Sequence, residues 1–261
     1  MKLQVLVSTM NQNDYSLVSK MNINSEAIII NQCGYKLEEE TYHSGCRIKW
    51  INTDKIGLSS SRNDAINSSD GDICVLADDD LIYTSDYKDV IIDEFDNNLE
   101  ADILVFQVEG IEEPYKTYYK GQRRINFINS MKVSSVEIAF RLDSIKKAGI
   151  HFDELFGAGS RYFMGEENIF LNDCLKKKLK IVYIPKKIAY LHLGDSSWFK
   201  GYDNNYFISK GAAFTRMSNS LSVLLIIQFA IRKYKIYKAE SSLKNAVKNM
   251  LIGRKRFLYS N

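Results

Sequence analysis

The stretch Asp72-Ile73-Cys74-Val75-Leu76-Ala77-Asp78-Asp79-Asp80 joins an apolar run of strand length to three consecutive carboxylates. A run this rich in apolar residues predicts a strand buried on both faces, as in a parallel sheet. Three adjacent acids repel one another unless a cation lies among them. The stretch therefore predicts that Asp78 and Asp80 bind a divalent metal and the phosphate-bearing substrate attached to it. The alternative is an acidic turn in solvent that only ends the strand.

Apolar runs of strand length alternate with helical patterns on both sides of this stretch. The predicted strands span residues 3–8, 27–30, 47–51, 103–108, 133–141, 181–185 and 188–191. The predicted helices span residues 14–21, 58–68, 84–97, 143–149, 210–231 and 243–252, and a further helix begins at Glu166. Residues 36–44 and 195–199 are predicted loops. This alternation with short links predicts an α/β fold, a parallel sheet with helices on both faces.

Polar side chains stand at the ends of three predicted strands. Thr9 follows the first strand, Asn31 and Gln32 follow the second, and the aspartate triplet follows the strand that starts at Ile73. In parallel sheets, ligands bind beyond the carboxyl ends of the strands. Either these residues converge on a ligand site, or they are the polar strand ends that any α/β protein has.

The composition is that of an ordinary globular protein with an uneven distribution of charge. The 261 residues are 45% apolar and 26% charged, and the net charge is only +3, so we expect no nucleic-acid partner. Residues 232–261, however, contain nine Lys or Arg and one acid, a local charge of +8 that leaves −5 for the other 231 residues. Such a tail predicts contact with anionic lipid or another polyanion; the alternative is a basic helix in solvent.

Three features bear on the cellular location. Residues 217–231 are fifteen residues without a charge, which is fewer than the roughly 20 that a membrane-spanning helix needs. The four cysteines form no Cys-x-x-Cys pair, which argues against a zinc ribbon and a disulfide framework. Met1 and Lys2 lead directly into a strand pattern and not into a signal peptide. We therefore expect a cytoplasmic protein, peripheral at the inner face of the plasma membrane.

Later patterns supply further candidate residues. Glu166 and Glu167 follow Gly165 at the start of a predicted helix, where acids are stabilising in themselves. His192 directly follows a predicted strand, and it is equally a candidate metal ligand and a structural residue. Residues 110–130 are rich in tyrosine and arginine, and they predict either a substrate-facing excursion or a solvated loop with packed tyrosines.

Several of these motifs occur together in one order. They are Ser59-Ser60-Ser61-Arg62-Asn63-Asp64-Ala65, Gly71-Asp72, Ala77-Asp78-Asp79-Asp80 and Gly165-Glu166-Glu167, followed by Pro185 and His192. In this order and spacing, residues 1–197 resemble the family 2-type glycosyltransferases of the GT-A fold. The whole chain is similar to those of bacterial capsule and exopolysaccharide clusters. The resemblance implies a GT-A domain with a mostly parallel, Rossmann-like sheet over residues 1–215, and a basic amphipathic helical extension over residues 216–261.

The resemblance also implies roles at the matching positions. The implied donor-binding residues are Thr9, Asn31, Gln32, Arg62, Asp78 and Asp79, although Asp79 receives no separate role. The implied ligands of Mn²⁺ or Mg²⁺ are Asp80, Asp78 and His192. Glu167 takes the place of the family's catalytic base, with Glu166 beside it.

The chain departs from the family pattern at three places. The family commonly has Pro-x-Tyr-Asn after its first strand, where this chain has Ser8-Thr9-Met10-Asn11. The family often has an acidic cluster after its second strand, where this chain has Asn31-Gln32. An amide can pair with a uracil edge but also with other bases, so UDP is the expected nucleotide and other nucleotides stay open. The position of the base carries Glu instead of the more frequent Asp, which lengthens its reach by one methylene.

These parts match the needs of sugar transfer. The leaving diphosphate must be neutralised, for which a divalent ion on carboxylate oxygens is suited, and the acceptor hydroxyl must lose its proton as it attacks. The expected function is metal-dependent, inverting transfer from a nucleotide-sugar to a saccharide hydroxyl, with a lipid-linked saccharide as the expected acceptor. The alternatives are a metal-dependent phosphoryl or nucleotidyl transferase on a similar sheet, and a non-catalytic GT-A-like binding module. The sequence predicts neither the sugar nor the oligomeric state.

Overall fold

The computed structural model describes residues 1–194, 199 and 201–259 of the chain. These residues form two compact units. The first unit comprises Met1–Ile56, Ser60–His151 and Phe170–Gly194. The second comprises Gly57–Ser59, Phe152–Ile169 and the described residues from Phe199 onward. The division into residues 1–215 and 216–261 that the sequence suggests stays a prediction.

A mixed β-sheet forms the centre of the first unit. Its strands in the described chain are β1 (Leu3–Met10), β2 (Glu26–Gln32), β3 (Leu37–His43), β4 (Cys46–Thr53), β5 (Ile73–Asp78), β6 (Leu81–Tyr83), β7 (Ile103–Gly110), β8 (Arg123–Arg124), β9 (Ile138–Arg141) and β10 (Ile181–Leu191). Their order is β3-β4-β2-β1-β5-β9-β7-β10-β6, with β8 paired to β10. Strands β4, β2, β1 and β5 run parallel to one another, and so do β7 and β10. Strands β3, β6, β8 and β9 pair antiparallel.

Helices connect and flank these strands. Those in the described chain are α1 (Ser16–Lys20), α2 (Leu58–Ser68), α3 (Tyr87–Asn97), α4 (Phe127–Ser130), α5 (Leu142–Ala148), α6 (Glu166–Lys176), α7 (Asn204–Met217), α8 (Ser222–Tyr237) and α9 (Leu243–Tyr259). Helix α2 has the predicted bounds, and α5 ends because Gly149 adopts a left-handed φ of 65°. The predicted α/β fold is therefore confirmed. No helix of the described residues is both long and apolar enough to cross a membrane.

The central strand β5 is buried on both faces, as its apolar run predicts. Each residue from Ile73 to Ala77 is at most 1% exposed. Tyr87, Ile91 and Phe95 of α3 are fully buried and belong to the same core cluster as Val75. Burying an apolar side chain of this size contributes about 1.5–3 kcal/mol. This core fixes the position of β5 and, with it, the aspartates at the carboxyl end of the strand.

The predicted loop over residues 36–44 is wrong, because these residues form the edge strand β3. It pairs antiparallel with β4, and most of its side chains are exposed. Glu38 forms an ion pair with Lys49 on the neighbouring strand, at 2.6 Å. Charged side chains are typical of an edge strand, which must not pair with another protein. The polar and charged residues that suggested a loop are therefore those of an edge strand that is protected against pairing with other chains.

Other boundaries were also predicted wrongly, including that of the strand over residues 133–141, which begins only at Ile138. The single helix over residues 210–231 is two helices, because Ser218 is extended and the Ser222 hydroxyl donates to the Asn219 carbonyl at 2.7 Å. Serine and asparagine side chains compete in this way with helical backbone hydrogen bonds. The two strands over residues 181–191 are one strand, β10, with register shifts on either side of Lys187. Of the loop predicted over residues 195–199, all but Phe199 lies outside the described residues.

The tyrosine-rich segment after β7 packs on the sheet. The rings of Tyr118 and Tyr119 lie 6.4 and 5.7 Å from the ring of Tyr183 on β10. Lys116 forms an ion pair with the buried carboxylate of Glu137 at 2.6 Å. Strand β8 then pairs with the beginning of β10. These contacts favour the interpretation of a loop with packed tyrosines over that of a substrate-facing excursion.

Candidate active site

The carboxyl ends of four parallel strands bring the predicted polar residues to one edge of the first unit. The register pairs Ser8 with Asp78 and Thr9 with Asn31. It also pairs Gln32 of β2 with Thr53 of β4. Because these strands end level with one another, Thr9, Asn31, Gln32 and Asp78 lie along the same edge. This is the edge at which an open α/β sheet binds ligands.

A chain of hydrogen bonds connects these strand ends. The Thr9 hydroxyl donates to Asp79 Oδ2 at 2.5 Å and accepts from Gln12 Nε2 at 3.0 Å. The Asn31 amide accepts from the Gln12 backbone N–H at 3.0 Å, and it donates to the Gln12 carbonyl at 3.0 Å and to Asn52 at 2.8 Å. Asn31 is 0% exposed. Its side chain thus closes the loop after β1, and its contact with a nucleotide base stays a prediction.

Arg62 is a buried cation directed at the aspartate triplet. Its side chain is 1% exposed, and Nη2 donates to both carboxylate oxygens of Asp78, at 2.9 and 3.2 Å, and to Ser135 Oγ at 2.9 Å. Helix α2 is joined to β1 by the hydrogen bond from Ser61 Oγ to Ser8 Oγ, at 2.8 Å. Arg62 therefore orients Asp78 and compensates one of the three negative charges. Its contact with a nucleotide stays a prediction.

Within the aspartate triplet, Asp78 has Arg62 as its positive partner, whereas Asp80 is repelled by its two neighbours. Burial, and then repulsion from Asp78 and Asp79, raise the pKa of the Asp80 carboxyl to about 7, and His192 opposes this shift. A carboxyl group that titrates near neutral pH marks a candidate functional site when its position also fits. A cation at Asp80 would remove the repulsion between the three carboxylates.

His192 lies directly beside the aspartate triplet. Its backbone N–H donates to the Asp80 carbonyl at 3.0 Å. Its ring Nδ1 lies 2.9 Å from Glu112 Oε1, and the other oxygen of Glu112 accepts from the Leu193 N–H at 2.7 Å. These contacts hold the pKa of the Glu112 carboxyl below its usual value, the Leu193 amide having the larger effect. Sequence reasoning missed Glu112, because no spacing relates a loop after β7 to the end of β10.

The carboxylates and the imidazole at this edge are donors of the kind that a divalent cation takes. No group of three or more His, Cys, Asp or Glu side chains among the described residues is arranged to hold a metal ion alone. Mg²⁺ and similar ions, however, are usually held by one or two carboxylates together with substrate phosphates and water. Asp80, with its raised pKa, and the neighbouring His192 provide ligands of this kind.

Glu166 and Glu167 belong to the second unit, where they form the first turn of α6. Glu166 is buried and Glu167 is half-buried. Burial lowers the pKa of the Lys210 ammonium on α7, and the negative charges of Glu167 and Glu166 oppose this effect. The catalytic role of Glu167 stays a prediction.

The mixed sheet, with carboxylates at the end of its central strand, is the GT-A architecture of glycosyltransferases. The family model of "Glycosyl transferase family 2" matches residues 15–159, which is more than half of the chain. The chain therefore belongs to glycosyl transferase family 2. A search of curated protein sequences finds no significant match.

Solved glycosyltransferase structures share this fold. S. aureus TarS is 15% identical, with a TM-score of 0.68, over 97% of this chain and 49% of that chain, so this chain spans about half of TarS. S. aureus TarS 1–349 in complex with UDP-GlcNAc is 12% identical, with a TM-score of 0.68, over 100% and 93% of the two chains. The mannosyltransferase PcManGT from Pyrobaculum calidifontis, in complex with GDP-Man and Mn²⁺, is 9% identical, with a TM-score of 0.56, over 100% and 88%. At these identities the similarity concerns the fold alone.

Proposed function

We propose that this protein is a metal-dependent inverting glycosyltransferase that moves a hexosyl or related sugar from a UDP-sugar to a hydroxyl of a saccharide. The observation that carries the proposal is the aspartate triplet at the end of β5, where Asp80 lies beside His192 and Asp78 is held by Arg62. The complexes of TarS with UDP-GlcNAc and of PcManGT with GDP-Man and Mn²⁺ support a nucleotide-sugar donor and a divalent cofactor.

Different residues of the first unit bind different parts of the donor. Asp78, oriented by Arg62, contacts the donor ribose and sugar, while Thr9 and Asp79 lie beside the nucleotide. Asp80 and His192 would hold Mn²⁺ or Mg²⁺. When bound, this ion neutralises the charge that develops on the leaving diphosphate. Arg62 also raises the positive potential at the phosphates.

Glu167 is the proposed general base, which accepts the proton of the acceptor hydroxyl as that oxygen attacks the anomeric carbon. Attack from the side opposite the diphosphate inverts the configuration of the sugar. Lys210 lies near enough to Glu167 for their charges to interact. Glu166, which is buried beside it, supports the same helix turn.

A donor-binding experiment tests this function. Thermal shifts and calorimetry with UDP-, GDP- and dTDP-sugars, each with and without Mn²⁺, identify the nucleotide. Asp80→Ala should remove the metal-dependent part of binding, whereas Asp96→Ala, at an exposed position on α3, should leave it unchanged. Failure of every nucleotide to bind with metal would refute the proposal. Metal-dependent binding that survives in Asp80→Ala would refute the role of Asp80.

The proposed setting is capsule or exopolysaccharide synthesis at the inner face of the plasma membrane, with a lipid-linked acceptor. Helix α9 supports membrane contact, because its outer face combines Lys244, Lys248 and Lys255 with Leu251. On α8, exposed apolar side chains recur at one helical face, as in Leu224, Ile227 and Ile231. Basic and apolar side chains together are typical of helices that lie on anionic bilayers.

Vesicle sedimentation tests the membrane contact separately from catalysis. Lys248→Glu with Lys255→Glu should weaken binding to phosphatidylserine vesicles by about 25-fold or more, since each lysine contributes about five-fold. Lys120→Glu with Lys177→Glu, which makes the same charge change at exposed positions of the first unit, is the matched control. Equal losses in both double variants would show general charge attraction and would exclude α9 as the contact.

A further inference from the structure

Glu112 holds two successive residues at the end of β10 with its two carboxylate oxygens. One oxygen lies 2.9 Å from Nδ1 of His192, and the other accepts from the backbone N–H of Leu193 at 2.7 Å. Such a two-point contact fixes both the ring and the backbone that carries it. A carboxylate can only accept hydrogen bonds, so the ring nitrogen that faces it must carry the proton.

The approach of Glu112 depends on the tight turn that follows β7. Gly110 pairs with Leu191 across the sheet. A Cβ atom at position 110 would collide with the Glu113 carbonyl and would lie 2.6 Å from Cδ1 of Leu193. Because Gly110 has no side chain, residues 110–113 lie against the end of β10. The turn thereby brings the Glu112 carboxylate into contact with His192.

We propose that Glu112 is a positioning residue that prepares His192 to bind the metal–diphosphate part of the donor. This inference rests on the proposed function. With the proton on Nδ1, the neutral ring keeps its lone pair on Nε2, which is then the nitrogen available to a metal. No hydrogen bond engages Nε2 in the part of the chain that the structure describes. The backbone N–H of His192 already donates to the Asp80 carbonyl, so the oriented ring belongs to the same edge as the proposed metal ligand.

A purely structural ion pair is the competing interpretation, and the exposure of the pair argues against it. The side chains of His192 and Glu112 are 50% and 49% exposed. An ion pair that is this accessible to solvent contributes little to stability, because water screens the charges and both side chains lose conformational freedom. Glu112→Ala should therefore leave the melting temperature unchanged, so that any loss of binding reports on the site.

The experiment is a double-mutant cycle on the affinity for UDP with Mn²⁺, measured by calorimetry on the full chain. Glu112→Ala should weaken Mn²⁺-dependent UDP binding by about 10- to 100-fold, which is the usual effect of removing a residue that orients a metal-binding histidine. It should leave metal-free UDP binding unchanged. In a His192→Ala background, Glu112→Ala should cause no further loss, because a residue that acts only through His192 has nothing left to orient.

Two further variants make the result specific. Glu113→Ala removes the same charge from the adjacent exposed position and should retain wild-type affinity. Glu112→Gln keeps an oxygen that can accept from Nδ1, and it should recover part of the affinity that Glu112→Ala loses. Equal losses in Glu112→Ala and Glu113→Ala, or additive losses in the double variant, would refute the positioning role. If His192→Ala itself binds Mn²⁺ and UDP normally, the metal role of His192 in the proposed function fails instead.

Discussion

Asp80→Asn should stabilise the metal-free protein at high pH. The folded protein raises the pKa of this carboxyl from 3.8 to about 7. Well below pH 3.8 the carboxyl is protonated in the folded and the unfolded state, so the substitution has little effect on the free energy of unfolding. As the pH rises from 4 to 7, the unfolded chain ionises while the folded protein keeps its proton, and the wild type loses stability. Above pH 7 this loss is complete, and the asparagine variant should be the more stable protein.

The size of the effect follows from the pKa shift and the exposure of the side chain. A shift of about 3 pKa units corresponds to about 4 kcal/mol in the free energy of unfolding. Burial of the carboxyl group dominates this shift, but the residue as a whole is exposed to solvent. Screening by water should therefore reduce the effect to about 1–2 kcal/mol. For a protein of this size, such a change raises the melting temperature by about 2–8 °C.

Thermal unfolding at pH 4, 6 and 8 in the presence of a chelator measures this difference. The gain should be small at pH 4 and largest at pH 8. Asp96→Asn, an exposed carboxylate on α3, controls for a general loss of negative charge. Equal melting temperatures of the wild type and Asp80→Asn at pH 8 would contradict the reasoning, as would a gain of the same size at pH 4. Mn²⁺ with UDP should then stabilise only the wild type.

Three other substitutions test separate parts of the structure. Arg62→Met leaves Asp78 without its buried cation, and urea unfolding should show a loss of about 3 kcal/mol, together with weaker UDP binding. In the second unit, Gly211→Ala places a Cβ atom against the Met250 carbonyl where α7 crosses α9; chemical denaturation should show a loss of at least about 1–3 kcal/mol. Glu167→Gln should abolish sugar transfer while leaving calorimetric UDP binding intact; a normal transfer rate would assign the base to another residue.

The parts of the fold that were predicted correctly are those that local sequence determines. The apolar run of β5 requires burial on both faces, and α2 begins and ends at the predicted residues. The edge strand β3 could not be predicted, because its charged side chains take their structure from pairing with β4. Likewise, the break between α7 and α8 follows from the extended Ser218 and from side-chain hydrogen bonds of Ser218 and Ser222, which apolar periodicity does not indicate.

The candidate site shows the same division between local and distant causes. The sequence indicated which polar residues stand at strand ends, and the structure brings Thr9, Asp78 and His192 to one edge of the first unit. It did not indicate their partners, because the bonds from Thr9 to Asp79 and from Glu112 to His192 join residues 70 and 80 positions apart. Sequence reasoning assigned no separate role to Asp79. In the structure, Asp79 accepts the hydrogen bond from the Thr9 hydroxyl.

Hydrogen-bond satisfaction separates two kinds of polar residue at this edge. Asn31 and Asn52 are buried, and the Asn31 amide is engaged on both its oxygen and its nitrogen, so these residues hold loops in place. Asp80 differs, because burial and its two neighbours oppose its ionisation and Arg62 compensates Asp78 instead. A cation binds most favourably where like charges lie close together without a positive partner, because binding removes their mutual repulsion. Asp80 is therefore the residue of the triplet most suited to bind a metal, because its negative charge has no positive partner like Arg62 among the residues that the structure describes. The sequence of three consecutive aspartates does not show which of them lacks such a partner.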